Sequence, residues 1–169
     1  MGSSPPSERA LADALDRYER LIEVGVGRRP GVARALADRG REVVAVDVDV
    51  SDVARDAASE TPGTGGGSLR VVAADVTALA GDDRAVGRAL GLDADADADG
   101  RDGGADSSDA AAVDAVYARN LPAELQSPTV ALAERLDAAC LFTTLGFEEP
   151  VVDVRRRSTE SGPVVYVAQ

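Results

Sequence analysis

A chain of 169 residues is about one domain long, and because only 3% of its residues are aromatic, Ala, Val and Leu must supply most of its core. Thirty acidic residues against eighteen basic ones give a net charge of -12, which argues against duplex nucleic acid as a general partner but leaves room for a local arginine patch that binds some RNA. No segment is long and apolar enough to span a bilayer, and residues 1–6 lack the charged and apolar regions of a signal peptide, so we expect a cytoplasmic protein.

The basic residues are all arginine, and the chain contains no lysine. Excess surface carboxylate repels itself, and molar salt relieves this repulsion because it shortens the screening length to about 3 Å. The composition therefore predicts a halophilic protein.

The N-terminal segment predicts an amphipathic helix. Residues 7–19 carry apolar side chains at helical spacing, and Ser7 is available as the N-cap. A short apolar strand over residues 20–24 follows directly.

This first strand belongs to a strand–helix–strand unit. A helix that Pro30 opens and Gly40 ends separates it from a second strand over residues 42–47. Such a βαβ unit is parallel and right-handed.

Strands and helices continue to alternate along the chain. Further helices are predicted over residues 51–59, 85–92 and 123–137, and further strands over 69–73, 111–117 and 139–145. Two β-rich runs over 151–154 and 164–168 leave no room for a crossover helix, so they predict an antiparallel hairpin. Residues 61–68 are glycine-rich and read as a loop. Residues 91–109 are acidic and of low complexity, and we interpret them as a disordered insertion.

These elements predict one Rossmann-like α/β domain over residues 1–169, with a doubly wound, mostly parallel sheet and a C-terminal antiparallel hairpin. Five βα units followed by a β-hairpin resemble the layout of class I methyltransferases.

A glycine turn follows the first strand in the sequence EVGVG, residues 23–27. Gly25 and Gly27 let the backbone approach a ligand closely, and the next helix offers free N–H donors. A dinucleotide fingerprint would place its third glycine two residues after the second one, whereas three residues precede Gly31. Glu23 before the glycines resembles motif I of class I methyltransferases, in which this loop cradles the amino-acid part of the cofactor. The alternative is a tight strand–helix turn without a ligand.

Three acids are candidates for the adenosine part of a cofactor. Asp47 ends the second strand about twenty residues after the glycines, where an acid accepts hydrogen bonds from ribose hydroxyls, and Asp49 is a nearby substitute. Asp75 follows the third strand and resembles the methyltransferase acid that meets the adenine amino group. The alternatives are a turn residue for Asp47 and chance placement for Asp75.

The fourth strand runs into Arg119, Asn120, Leu121 and Pro122, and Glu124 follows. Loops at the carboxyl ends of strands face the ligand in such sheets, so these polar residues are the candidates for catalysis. Amino-methyltransferases carry an Asn-Pro-Pro-aromatic motif here, from which this sequence departs. The alternative is that Asn120 is a capping or turn residue and Pro122 starts a helix.

Three other features favour structural explanations. The aspartates of residues 95–106 match the spacing of a calcium loop, but low complexity explains the match better. Residues 155–157 are three arginines that either grip an anion or form a solvated turn. Cys140 is isolated in an apolar run, which indicates an inert thiol, and the absence of histidine argues against zinc sites and histidine-based triads. We predict no metal.

The run LIEVGVGRRPGVARALADRGREVVAVDVD, together with ARNLPAELQ, resembles the archaeal uncharacterised protein family UPF0146. The second run keeps Arg119, Pro122, Glu124 and Gln126 of the family pattern and lacks one proline. The resemblance implies a small Rossmann-like fold and a nucleotide site, and it implies no established reaction.

Two functional hypotheses follow from the sequence. The first is an S-adenosylmethionine-binding, methyltransferase-like protein of unknown substrate. The second is a non-catalytic nucleotide-binding or sensing module that works as a homodimer or with a partner. A nicotinamide-dependent enzyme is a lesser alternative, because the glycine spacing departs from the dinucleotide pattern.

Overall fold

A seven-stranded sheet with helices on both faces organises the chain. The structure is a computed structural model that describes residues 4–60, 66–91, 112–146, 148–158 and 163–169. The strands are β1 (Arg20–Val24), β2 (Glu42–Asp47), β3 (Ser68–Ala73), β4 (Ala115–Ala118), β5 (Ala139–Phe142), β6 (Val154–Arg157) and β7 (Val165–Ala168). The helices are α1 (Pro6–Leu15), α2 (Gly31–Asp38), α3 (Asp52–Glu60), α4 (Val76–Gly81), α5 (Asp83–Leu90) and α6 (Ala123–Arg135).

The strands follow one another across the sheet in the order β3-β2-β1-β4-β5-β7-β6. The first five strands are parallel, and β7 inserts antiparallel between β5 and β6. This arrangement confirms the doubly wound, mostly parallel α/β fold with a C-terminal antiparallel hairpin. The chain order reverses direction between β1 and β4, which opens a crevice where ligands bind in sheets of this kind.

Each face of the sheet buries its own apolar core. Leu21 of β1 packs with α1, α2 and α3, while its neighbour Ile22 packs with α4, α5 and α6. Successive side chains of a strand point to opposite faces, so one central strand contributes to both cores. Among the described residues, Tyr117 and Phe142 are the largest fully buried side chains, and small aliphatic residues fill most of the remaining space, as the composition predicts.

The first helix and the segment after β3 differ from the predictions. Helix α1 ends at Leu15, because a turn follows, and its N-cap is Pro5, so Ser7 lies inside the helix. The six-residue helix α4 was not predicted, because VTALAG is too short to show a helical period. Asp75 is the N-cap of this helix.

Three strands begin or end elsewhere than predicted. β4 begins at Ala115, where its pairing with β1 starts, and β5 ends at Phe142, where its pairing with β4 ends. β6 covers Val154–Arg157, so the three arginines form an edge strand and not a turn, because they pair with β7. The other predicted strands and helices agree with the structure to within two residues.

Two predicted segments fall mainly outside the described residues. The acidic insertion, with its calcium-like spacing, lies almost wholly within residues 92–111, and most of the glycine-rich loop lies within 61–65. Among the helices that the structure does describe, none has the length and apolar character needed to cross a membrane.

Candidate cofactor site

The glycine turn, residues 25–30, leaves β1 at the carboxyl edge of the sheet. Gly25 and Gly27 have φ angles of +73° and +54°, in the left-handed region that disfavours side chains. A Cβ atom at either position would meet no atom of the described residues within 4 Å. The turn therefore needs glycine for its backbone, and it leaves open space on its outer side.

Asp47, the last residue of β2, fixes this turn. Its carboxylate accepts hydrogen bonds from the backbone N–H of Gly27 at 2.8 Å and of Asp49 at 3.2 Å. The hydroxyl of Ser51 donates to the carbonyl of Gly27 at 2.7 Å. A carboxylate has about four acceptor sites, so Asp47 keeps acceptor capacity for a ligand after both amides are bound.

Glu23 and Tyr117 lie side by side in β1 and β4 and are fully buried. The Tyr117 hydroxyl donates to Glu23 Oε2 at 3.0 Å, whereas Glu23 Oε1 has no partner among the described residues. Burial raises the pKa of Glu23 to about 7, and the Tyr117 hydrogen bond and the Arg119 charge partly oppose this rise. Burial, reinforced by the neighbouring carboxylate, also raises the pKa of Tyr117 well above its ordinary value.

Arg119 directly follows β4 and turns back over the glycine turn. Its guanidinium pairs with Glu8 of α1 at 3.5 Å, and the two side chains are only 10% and 9% exposed. It also donates to the carbonyl of Arg29 at 3.5 Å, and its buried Nε has no partner among the described residues. The pairing places a residue of the N-terminal helix beside the glycine turn.

Glu8 is not among the predicted site residues, although the sequence carries a signal for it. Glu8, Leu11 and Leu15 share one face of α1 and all three are buried, so an acid occupied an apolar position of the helix. A Cβ atom at Gly31 would lie 2.8 Å from Glu8 Oε2. The glycine at the start of α2 therefore makes room for the carboxylate of α1.

Asn120 and Glu124 lie beyond Arg119. Asn120 has a φ of +52°, a turn conformation that asparagine tolerates, and its N–H donates to Thr143 Oγ1 at 2.9 Å. Thr143, which the sequence did not single out, also accepts from the N–H of Leu121 at 2.8 Å. Glu124 is exposed in the first turn of α6, so the structure does not bring it into the cluster around Arg119.

Gln126, one of the residues that carry the family resemblance, braces the loop after β4. It is fully buried, its Oε1 accepts from the N–H of Val151 at 2.7 Å, and its Nε2 donates to the carbonyl of Leu121 at 3.4 Å. An amide in α6 thus connects the loop after β4 with the segment before β6. Its contacts are structural.

Asp75 follows the last residue of β3 by two positions and is exposed. Its carboxylate accepts from the N–H of Thr77 at 2.8 Å as the cap of α4, and it borders a groove of about 180 Å³. The hydrogen bond to Thr77 shows that Asp75 caps α4. A contact between Asp75 and adenine stays a prediction.

A cavity of about 410 Å³ lies at the opposite, amino edge of the sheet, between the starts of β1, β2 and β3. Its charged groups have partners in the protein: Arg20 pairs with Glu42 at 3.0 Å, and Arg70 donates to the carbonyl of Ala89 at 3.2 Å. Ligands of open α/β sheets bind beyond the carboxyl ends of the strands, so we place the candidate site at the glycine turn and not in this cavity.

Two further sequence candidates lie apart from this site. Arg156 of β6 pairs with Glu149 at 3.3 Å and packs over the ring of Tyr166. Cys140 is buried, and burial raises the pKa of its thiol to about 12, which keeps it protonated and agrees with the predicted inert thiol.

The predicted residues that meet at the carboxyl edge come from the ends of β1, β2 and β4, and they are Glu23, Gly25, Gly27, Asp47, Arg119 and Asn120. These three strands are adjacent in the sheet. The structure thus gathers a glycine turn, several carboxylates and one nearly buried guanidinium in one place.

Solved structures similar to this chain include methyltransferases. A TehB-like S-adenosylmethionine-dependent methyltransferase from Corynebacterium glutamicum aligns over 98% of this chain and 88% of its own, with a TM-score of 0.54 and 14% identity. The magnesium protoporphyrin IX methyltransferase of Synechocystis, solved with bound S-adenosylmethionine, aligns over 95% and 78%, with a TM-score of 0.52 and 13% identity. At these identities the likeness shows a methyltransferase-like fold.

Closer relatives are found by sequence. UPF0146 proteins of two strains of Halobacterium salinarum, a halophilic archaeon, are 34% identical over 167 residues, which cover 99% of this chain and 98% of theirs. The profile of one family matches residues 9–62 and 110–169, on both sides of the acidic insertion. The chain therefore belongs to the Uncharacterised protein family (UPF0146).

Proposed function

We propose that this chain binds S-adenosylmethionine at the glycine turn and acts as a small methyltransferase. The observation that carries the proposal is Glu23 Oε1, a fully buried carboxylate oxygen with no partner among the described residues, beside a glycine turn with open space. A buried polar atom without a partner costs free energy unless a ligand completes it. The ammonium of a methionine end is a suitable donor.

The residues present fit the parts of this cofactor. Glu23 and the turn formed by Gly25 and Gly27 would hold the methionine end, and Asp47, with Asp49 as a substitute, would accept the ribose hydroxyls. Asp75 would meet the adenine amino group. When bound, S-adenosylmethionine supplies an electrophilic methyl group for an in-line displacement.

The chain's own part in such a reaction is mainly positioning. Thr143 holds the backbone of Asn120 at the carboxyl edge, where its amide side chain would meet an acceptor. Glu124 would line the outer part of the acceptor side from the first turn of α6. Arg119 donates to the carbonyl of Arg29 and would close the site against the glycine turn.

The position of Glu8 favours this cofactor over a dinucleotide. A dinucleotide places its pyrophosphate at the N-terminus of the first helix after the glycines. Here the carboxylate of Glu8 lies beside Gly31, the first residue of that helix, and like charge repels a pyrophosphate. S-adenosylmethionine, whose sulfonium and ammonium groups are positively charged, is more compatible with this carboxylate than a dinucleotide is.

Thermal unfolding in molar potassium chloride tests the proposal with S-adenosylmethionine, S-adenosylhomocysteine, NAD, NADP and ATP. A ligand at a hundred times its Kd stabilises by about 2.7 kcal/mol, so a shift is readily measured. Stabilisation by the two methionine-derived ligands alone is expected, and Asp47→Ala should abolish it. Asp52→Ala, which removes an exposed carboxylate at the start of α3, is the matched control. A shift with NAD alone, or with none of the five ligands, contradicts the proposal.

A non-catalytic nucleotide-binding or sensing module is the second candidate. The observation that favours it is the ion pair between Arg119 and Glu8, which occupies the arginine with a protein carboxylate. Incubating the protein with S-adenosylmethionine labelled in its methyl group and an extract of haloarchaeal cells distinguishes an enzyme from a non-catalytic module. Asn120→Gly keeps the left-handed backbone and should abolish labelling of an acceptor without weakening cofactor binding, if the chain is an enzyme. Binding without labelling by the unaltered protein favours the module. A cytoplasmic location and assembly as a homodimer stay predictions.

A further inference from the structure

The Arg119 side chain is nearly buried, and the hydrogen-bond donors of its guanidinium are only partly satisfied. Its two contacts, to Glu8 and to the carbonyl of Arg29, are both 3.5 Å long, and its Nε has no partner in the described part of the chain. Hydrogen bonds between guanidinium and carboxylate are usually about 2.7–2.9 Å. Glu8 therefore holds Arg119 loosely, and the guanidinium keeps donors for another acceptor.

The unsatisfied groups around the glycine turn have opposite signs. Arg119 has a donor without a partner, and Glu23 Oε1 is an acceptor without a partner among the described residues. Val24 pairs with Ala118 in adjacent parallel strands, so Arg119 follows β4 at the level where the glycine turn follows β1. This level is two residues beyond that of Glu23 and Tyr117. A buried donor beside a buried carboxylate is complementary to a carboxylate and an ammonium on one carbon, the head of an α-amino acid.

We propose that Arg119 exchanges the carboxylate of Glu8 for the α-carboxylate of the bound cofactor, so that Glu8 is a built-in competitor for the cofactor's amino-acid end. The inference rests on the proposed function, and it assigns Arg119 to the cofactor and not to the acceptor side. Glu8 has a place to remain after the exchange, beside the first residue of α2. The free N–H groups and the dipole of a helix N-terminus stabilise a negative charge there.

Titration calorimetry in molar potassium chloride tests the exchange with two ligands. S-adenosylhomocysteine carries the amino-acid head, and 5′-methylthioadenosine lacks it. Glu8→Gln removes the competing charge and should tighten S-adenosylhomocysteine binding by about tenfold, because hydrogen bonds to charged groups are each worth about that factor or more. Arg119→Met should weaken the same binding by about tenfold or more. Binding of 5′-methylthioadenosine should change in neither variant.

A double variant and two control variants test whether the effect of Glu8→Gln depends on Arg119. In the Arg119→Met background, Glu8→Gln should no longer tighten binding, because the group for which Glu8 competes is gone. Asp13→Asn makes the same charge change on the exposed face of α1, and Arg34→Met removes an exposed arginine of α2. Neither control should alter the affinity for either ligand.

The outcomes separate this inference from the proposed cofactor site. If Glu8→Gln weakens S-adenosylhomocysteine binding, or changes both ligands equally, Glu8 only supports the site and the exchange is wrong, although the cofactor site stands. If neither ligand binds to the unaltered protein or to the Glu8→Gln variant, the proposed function fails and the exchange fails with it.

Discussion

Tyr117 donates its phenolic hydrogen to Glu23 Oε2 across 3.0 Å, between two adjacent parallel strands, and neither side chain reaches solvent. Burying an acid and a phenol that share one hydrogen bond at the centre of a sheet costs more free energy than burying two aliphatic residues. The pair lies directly below the glycine turn, where it positions the carboxylate that a ligand would meet.

The ionisation of Glu23 should make stability depend on pH. Its pKa is about 7 in the folded state and near 4.5 in the unfolded chain, so the folded state binds this proton more tightly. The resulting contribution to stability is complete below the unfolded pKa and is lost as pH rises through about 7, a change of about 2 kcal/mol between about pH 5 and about pH 8.

Denaturant unfolding of the unaltered protein and of Glu23→Gln, across this pH range in molar salt, measures the effect. The stability of the unaltered protein should fall relative to Glu23→Gln as pH rises. The stability of Glu124→Gln, an exposed acid-to-amide change, should depend on pH in the same way as that of the unaltered protein. Parallel curves for Glu23→Gln as well would show that Glu23 does not titrate in this range.

Alanine at Gly31 should destabilise the fold through Glu8. The new Cβ would lie 2.8 Å from Glu8 Oε2, so the Glu8 carboxylate, whose Oε1 pairs with Arg119, must shift. We expect a loss of about 1 kcal/mol in the free energy of unfolding, the typical size of one lost interaction of this kind. In a Glu8→Ala background the same change should be neutral or stabilising, because the space is free and alanine favours a helix. Equal effects in both backgrounds would contradict this explanation.

Alanine at Gly67 should be far more harmful than alanine at Gly81. A Cβ at Gly67 would overlap the carbonyl of Ala37, a backbone group that cannot turn away, whereas a Cβ at Gly81 would meet nothing within 4 Å. We expect Gly67→Ala to destabilise by about 2 kcal/mol or more, and Gly81→Ala to change stability by less than about 0.5 kcal/mol. Thermal and denaturant unfolding compare the two variants, and similar effects would refute the predicted overlap.

The acidic, lysine-free composition predicts that the fold depends on salt. Dialysis from molar potassium chloride into salt-free buffer should unfold the protein, because unscreened carboxylates repel one another. Circular dichroism follows the loss of helix. Sucrose, which favours burial without screening charge, should not restore the fold as salt does. A chain that stays folded without salt would not be halophilic in this sense.

The sequence alone determined the elements whose signals are local. The strand, glycine turn, helix and second strand from Arg20 to Asp47 agree with the predictions because apolar period, glycine and proline act over a few residues. The carboxyl-edge placement of Glu23 and Asp47 followed from the same unit, since parallel strands end at one edge.

Only the tertiary structure decided what depends on distant contacts. β7 lies between β5 and β6 because it pairs with both, and no local pattern in its four residues specifies this. Arg119 meets Glu8 because α1 packs on the sheet face toward which that arginine turns back, so a residue predicted to act in catalysis lies against the glycine turn. Periodicity assigns a residue to a face, whereas the partner across that face is fixed only when the whole sheet is assembled.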